Sequence, residues 1–365
     1  MNKKRYYGVD LLRCISMILV VILHTLGAGG VLDATAQGTM TFSVVWLLEI
    51  IAYPAVNIFA MISGFVGYSD EVYKFKYSNC ISLWIRIVFY GIISTVVIYF
   101  VNSELVSTGD FFRVFFPITT RAYWYYTAYV VLVVLIPAIN FVLRSLDKKV
   151  LFSLLILIFL LSILETTTKQ FALSGGYGFT WLALLYVLGA IIKKCKLHEK
   201  IKLGYALTAL LMSILITWIW LLYGREISLF NWEIDKELFI SYVSPTVLCS
   251  AVMTLIIFAK VEFCDKVNRI IKLIRPCVFT TFILNSQYSI ANNFLYGKFV
   301  FLANTRAVIV PVFVIGYAVT FFVVSTLIDL LRIYIFKFAK VDSLSKKVES
   351  GIKFLLDKMS SLVVD

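Results

Sequence analysis

His24 lies inside an apolar run, Val20-Val21-Ile22-Leu23-His24-Thr25. An ionisable side chain is costly there and marks a functional hypothesis by default. A neutral imidazole in such a place either acts as a general base or hydrogen-bonds between packed helices, and the sequence admits both. Arg13 precedes it by eleven residues, close to three helical turns, so the two share one helix face. At a rise of about 1.5 Å per residue, His24 stands roughly 16 Å farther along the axis than Arg13. Asp10, one turn before Arg13, is spaced to pair with it. A polar stripe of this kind suits two chemistries. A phosphate-bearing acyl donor anchored at one end could meet an acceptor hydroxyl at the other, with His24 taking the hydroxyl proton. A transporter or flippase for a lipid-linked sugar or small anion could use the same stripe as a proton and anion relay.

Further groups surround this stripe. Ser63 and Gly64, in Ile62-Ser63-Gly64-Phe65, are small residues that let helices approach closely. Glu49 is a carboxylate within the second apolar stretch, in its outer third. Arg86 interrupts the third, and Asp329 and Arg332 are spaced to pair in the last. Tyr123-Trp124-Tyr125-Tyr126 stands where an aromatic belt would meet a membrane boundary. His198, the second histidine, falls in a basic segment and reads as solvated. The six cysteines are dispersed, with no C-x-x-C, and no His/Cys spacing suits a metal, so neither structural disulfides nor a metal site is expected. P-loop, G-x-G-x-x-G, G-x-S-x-G and channel-filter patterns are absent.

The elements that must position these residues follow from composition. The chain has 365 residues, 61% hydrophobic and 15% charged, with a mean hydropathy of +0.92. Soluble domains carry about 25% charged residues, so a bilayer is the expected solvent for most of this surface. The expected fold is all-α and polytopic, with about ten spans near 9–28, 43–68, 80–101, 122–141, 150–165, 178–192, 203–223, 239–259, 277–297 and 307–336. The fifth and sixth are short for a hydrocarbon core of about 30 Å. With the N-terminus in the cytoplasm, most of the 34 Lys and Arg residues fall in inner segments, and ten spans return the C-terminus to the same side. The net charge of +13 is then topological, facing anionic lipid rather than nucleic acid. Lys3, Lys4 and Arg5 before an apolar run imitate a signal peptide, but Asp10, Arg13 and His24 argue for a retained first span. Residues 1–340 form one membrane domain in this scheme, and 341–365 a short basic amphipathic tail on the inner surface. No internal repeat favours an inverted-repeat transporter.

With these residues in place, the chain resembles the acyltransferase family 3 membrane proteins, which O-acylate bacterial surface glycans. The resemblance runs from Arg5 through Gly8-Val9-Asp10-Leu11-Leu12-Arg13 to His24, then Ile62-Ser63-Gly64-Phe65. It continues with Tyr123-Trp124-Tyr125-Tyr126 and Leu135-Ile136-Pro137, then Gly175-Gly176-Tyr177, Trp181 and Leu185-Tyr186-Val187-Leu188-Gly189, covering about residues 5–336. It implies a multi-pass protein of the bacterial plasma membrane. His24 would be the base, Asp10 and Arg13 its companions, and acyl-CoA the donor, with acetyl-CoA as the default. Arg13, Arg86, Ser63 and Gly64 become donor-contact candidates; Glu49, Trp124, Tyr125 and Tyr186 become contacts for a polysaccharide or lipid-linked glycan acceptor. The chain departs from the family in two places. Leu83 stands where a first arginine is common, leaving Arg86, and Phe282-Ile283-Leu284 leads to Asn285 where many members carry histidine.

Overall fold

The computed structural model describes residues 5–69, 77–120, 122–224, 235 and 237–364; Lys3 and Lys4 lie outside them. The chain is 80% helical, with no strand among the described residues. The first span is α1 (Tyr7–Leu26), followed by the short α2 (Val31–Ala34). The second is broken into α3 (Met40–Ala52) and α4 (Ala55–Gly67) at Tyr53-Pro54, where proline has no N–H to continue the helical ladder. Then come α5 (Tyr77–Val101), α6 (Thr108–Phe115), α7 (Trp124–Ser145) and α8 (Lys148–Thr168). They are followed by α9 (Phe179–Lys194), α10 (Leu197–Lys200), α11 (Leu203–Tyr223), α12 (Pro245–Ala259) and α13 (Asp265–Ile274). The chain finishes with α14 (Val278–Ser286), α15 (Tyr288–Phe294), α16 (Ile309–Phe338) and α17 (Val341–Val364).

Counting α3 and α4 as one, 7 helices among the described residues are long and apolar enough to cross a membrane. The fifth expected stretch is not short: α8 has 21 residues, because its helix continues through Glu165 and three threonines to Thr168. The sixth stays short, at 16 residues in α9. The ninth is broken at Gln287, whose backbone leaves the helical region at ψ 129°. The Gln287 side chain restarts α15 by accepting from the Ile290 N–H at 2.8 Å.

Burial is arranged for a lipid solvent. Helix α1 packs against α3, α4, α12, α14 and α16 and is largely buried. The outer helices α8 and α11 bury little of themselves and present Leu, Ile and Phe side chains outward, as apolar surroundings allow. Helices α4 and α9 make the closest crossing. A Cβ on Gly64 would overlap the Tyr186 carbonyl, and one on Gly189 would overlap that of Met61. Each glycine thus admits the other helix's backbone, which is how small residues fasten helices where no hydrophobic force drives them together.

Candidate active site

The C-terminal ends of α1 and α14 meet at His24 and Asn285. The side-chain oxygen of Asn285 accepts a hydrogen bond from Nδ1 of His24. A carbonyl oxygen can only accept, so in the neutral ring the proton resides on Nδ1 and the lone pair is left on Nε2. Nε2 has no hydrogen-bond partner among the described residues. His24 lines a cavity of about 30 Å³ with Phe59, Trp124, Tyr125, Tyr242 and Phe282. That is room for about one water molecule. Tyr125 packs edge-on against Phe59 and Phe282, with ring centroids 5.8 and 6.0 Å away. Trp124 and Tyr125 therefore both reach the His24 cavity.

Arg13 occupies the same helix farther in. Among the described residues its guanidinium makes no hydrogen bond or ion pair. Its central carbon lies 6.0 Å from the centroid of the Phe59 ring. Phe59 is shared with the His24 cavity, so Arg13 stands next along the stripe. The expected Asp10–Arg13 pair does not form. Asp10 instead accepts from Arg5 Nε at 2.8 Å and lies 3.7 Å from Arg275. The reason is tertiary: the segment before α1 and the end of α13 bring two other guanidinium groups to Asp10. It sits about 21 Å from His24 at 1.5 Å per residue along α1, and the structure does not bring the two together.

A second cavity, of about 260 Å³, opens around Asp10, with Arg5, Tyr6, Phe65, Lys193 and Arg275 on its walls. Three cations thus face one carboxylate. Arg5 Nη2 and Arg275 Nε are buried donors with no hydrogen-bond partner among the described residues. Lys193 Nζ lies 3.7 Å from the Tyr6 centroid and 4.8 Å from that of Phe65, a cation–π arrangement. His198 is not solvated: it is 3% exposed, packed edge-on against Tyr6 and Phe65. The basic segment that carries it packs against α9 and α12, and its ring is covered by Tyr6 and Phe65, residues distant in sequence.

The remaining candidates lie elsewhere. Arg86 is bonded to Asp329 at 2.8 Å, to Thr280 and to the Pro276 carbonyl at 3.0 Å. Asp329 also pairs with Arg332 at 2.8 Å, as their spacing predicts, and accepts from Tyr90. The Arg86 guanidinium is therefore committed to a clasp among α5, α14 and α16. Ser63 donates to the carbonyl of Phe59 in its own helix at 3.3 Å, and Gly64 sits in the α4–α9 crossing. Tyr186 donates to Asn140 at 3.1 Å and is fully buried, away from the His24 cavity. Glu49 is 6% exposed on α3, and its Oε2 has no hydrogen-bond partner among the described residues. Sequence reasoning missed Phe59, Tyr242 and Phe282 as walls of the site, and with them Asn285. Asn285 was visible only as a departure from the family pattern.

Comparison with curated proteins and with solved structures yields no match. A family model described as an acyltransferase domain matches residues 6–330, which takes in α1 with its polar stripe, every cavity-lining residue above except Arg5, and most of α16. The chain, a multi-pass membrane acyltransferase, belongs to acyltransferase family 3.

Proposed function

We propose that the protein transfers an acyl group, acetyl in the default case, from cytoplasmic acyl-CoA to a hydroxyl of a cell-envelope glycan. It would do so across ten spans of a bacterial plasma membrane, with both termini in the cytoplasm. The observation that carries this reading is the His24 ring, held at Nδ1 by Asn285 and lining an aromatic cavity deep in the bundle. Nε2 takes the proton from the acceptor hydroxyl, and the oxygen attacks the thioester carbonyl carbon. The carbon–sulfur bond then breaks, and the thiolate of CoA recovers the proton from the imidazolium. The ester and free CoA are the products, and atoms balance without a further reactant.

The charge pattern supports delivery of the donor from the cytoplasmic end. Arg5, Lys193 and Arg275 outnumber Asp10 around the 260 Å³ cavity, and phosphates are the anions such a cluster favours. Arg13, with no hydrogen bond or ion pair among the described residues, would meet the donor farther in, between this cavity and His24. The acceptor would arrive from the end where Glu49, Trp124 and Tyr125 lie. Ordered membrane lipid around the outer helices is the remaining partner, and no metal takes part in the scheme.

The test compares wild type with His24→Ala in nanodiscs, using radiolabelled acetyl-CoA and a crude envelope-glycan fraction. Transfer of label is expected with wild type and to fall by about 10²–10⁴-fold in the variant, the usual worth of a positioned base. Equal transfer by both removes His24 from the chemistry. Neither transfer nor thioester hydrolysis by folded wild type, with substrate flux in sealed vesicles that lack a donor, would favour transport instead.

A further inference from the structure

A third hollow lies away from His24 and is larger than either cavity above. It is a groove of about 510 Å³ between α5 and α16. Helix α14 packs against both and contributes Leu284, and α15 contributes Ile290. The lining is apolar apart from Tyr90, two serines and Arg332. The Ser94 hydroxyl donates to the Tyr90 carbonyl at 2.6 Å, and the Tyr90 hydroxyl to Asp329 at 2.7 Å. Arg332 is therefore the one charged residue in the lining.

That charge is in surplus. Arg86 and Arg332 each reach Asp329 at 2.8 Å, so two guanidinium groups, which keep their protons in proteins, share one carboxylate. Arg86 is also turned to Thr280 and the Pro276 carbonyl. Asp329 is wholly buried, whereas the Arg332 side chain is 11% exposed and reaches the groove. The excess positive charge is thus offered along one route, through Arg332 into the groove. A cation left unbalanced beside hydrocarbon is costly, and an anion seated there would offset it.

The dimensions restrict the anion. On α16 the groove runs from Phe321 past Arg332 to Ile335. Phe321 and Arg332 are eleven residues apart, roughly 16 Å along the axis. One leaflet of a hydrocarbon core of about 30 Å is of the same depth. Helix α16 has 30 residues and is about 45 Å long, so its ends project beyond the core. Arg332 stands six residues, about 9 Å, from its C-terminal end, near the boundary between hydrocarbon and headgroups. The groove is therefore one leaflet deep, apolar along its length and cationic at the headgroup end.

We propose that the α5–α16 groove binds one anionic phospholipid of the cytoplasmic leaflet, an acyl chain lying along the groove and the headgroup phosphate at Arg332. Guanidinium and phosphate are well matched in charge and geometry, and the cytoplasmic leaflet is the one rich in anionic lipid. A soluble anion would leave the apolar walls uncovered, and an uncharged lipid would leave the charge of Arg332 unbalanced. A carrier lipid with a chain longer than one leaflet would overrun the groove beyond Phe321. The assignment needs a chain that spans the membrane and does not depend on acyl transfer.

Native mass spectrometry of the full chain, delipidated in detergent and titrated with lipid, measures this directly. Wild type is expected to bind phosphatidylglycerol about tenfold more tightly than phosphatidylcholine of matched chains, the worth of one bond to a charged group. Arg332→Gln, in which Arg86 still pairs with Asp329, should bring phosphatidylglycerol down to the level of phosphatidylcholine. Ile328→Trp, at a half-exposed position on the groove wall, should weaken both lipids. Leu211→Trp, exposed on α11 away from the groove, should weaken neither. Equal affinity of wild type for the two lipids overturns the site, as does a preference that survives Arg332→Gln. If Arg332→Gln does not fold, Ile328→Trp decides: binding equal to wild type, or a loss no greater than in Leu211→Trp, overturns it. Tighter binding of a polyprenyl phosphate than of phosphatidylglycerol gives the groove to a carrier lipid and overturns the phospholipid assignment.

Discussion

At the scale of single residues, the candidate site turns on a neutral partner. Asn285 offers His24 an acceptor and no charge, so it selects the tautomer while leaving the ring in the state a base requires. Removing that acceptor with Asn285→Leu should lower kcat about 10- to 100-fold while both KM values hold, as loss of a positioning contact does. Asn285→His, which restores a ring nitrogen at the position where the family often carries one, should recover much of the rate. Steady-state kinetics on the three proteins would decide it: a parallel rise in KM, or no rescue, would make Asn285 merely structural. The first-span stripe of Arg13 and His24 was legible because helical spacing is local. Asn285 was not, because it is 261 positions from His24 and only the packing of α14 on α1 joins them. Asp10 shows the converse. Its spacing offers Arg13, yet Arg5 and Arg275 reach it first.

At the scale of elements, the helices were readable from apolar runs, whereas their ends and breaks depended on capping and on neighbours. Gln287 gives no signal of a helix break until its side chain is seen restarting α15, two residues after Asn285. The short α10 is a similar case: its basic sequence suggests a solvated turn, but His198 is enclosed by Tyr6 and Phe65. Burial holds the His198 imidazole below its usual pKa, because it disfavours the charged ring, with Lys193 acting in the same direction and the Ile192 carbonyl opposing. An unfolded chain takes up this proton near pH 6.5, the folded protein only at lower pH. The neutral ring's contribution to stability is therefore present above about pH 6.5 and is lost as the pH falls below it. Thermal unfolding in nanodiscs from about pH 7.5 down to 5 should show a steeper loss for wild type than for His198→Gln, whose side chain does not titrate. Parallel curves would mean that the ring is hydrated in solution.

For the whole molecule, ten spans with both termini inside require helices that fall short of a bilayer to cross it. Helix α9 is the critical one. Its 16 residues reach about 24 Å at 1.5 Å per residue, against a hydrocarbon core of about 30 Å. Lys193 and Lys194 at its last turn can extend their charges toward the interface, and local thinning costs only fractions of a kcal/mol per Å. A crossing by α9 is thus physically accessible, and alternating sidedness is its signature. Three positions report on it. Lys169 precedes α9, Lys200 follows it, and both are exposed; Cys264 is the exposed cysteine of the six. A membrane-impermeant maleimide applied to intact cells should label Lys169→Cys, and should reach Lys200→Cys and Cys264 only in inverted vesicles. Labelling of Lys169→Cys and Lys200→Cys from the same face would show that α9 does not cross, reducing the count and separating the Asp10 cavity beside Lys193 from the donor's side. Labelling of Cys264 in intact cells would invert the orientation and bring acyl-CoA to the wrong end of the Arg13–His24 stripe. The alternating pattern, by contrast, puts the basic cavity toward the cytoplasm and the aromatic walls of the His24 cavity toward the outside, the two faces that a transfer across the membrane requires.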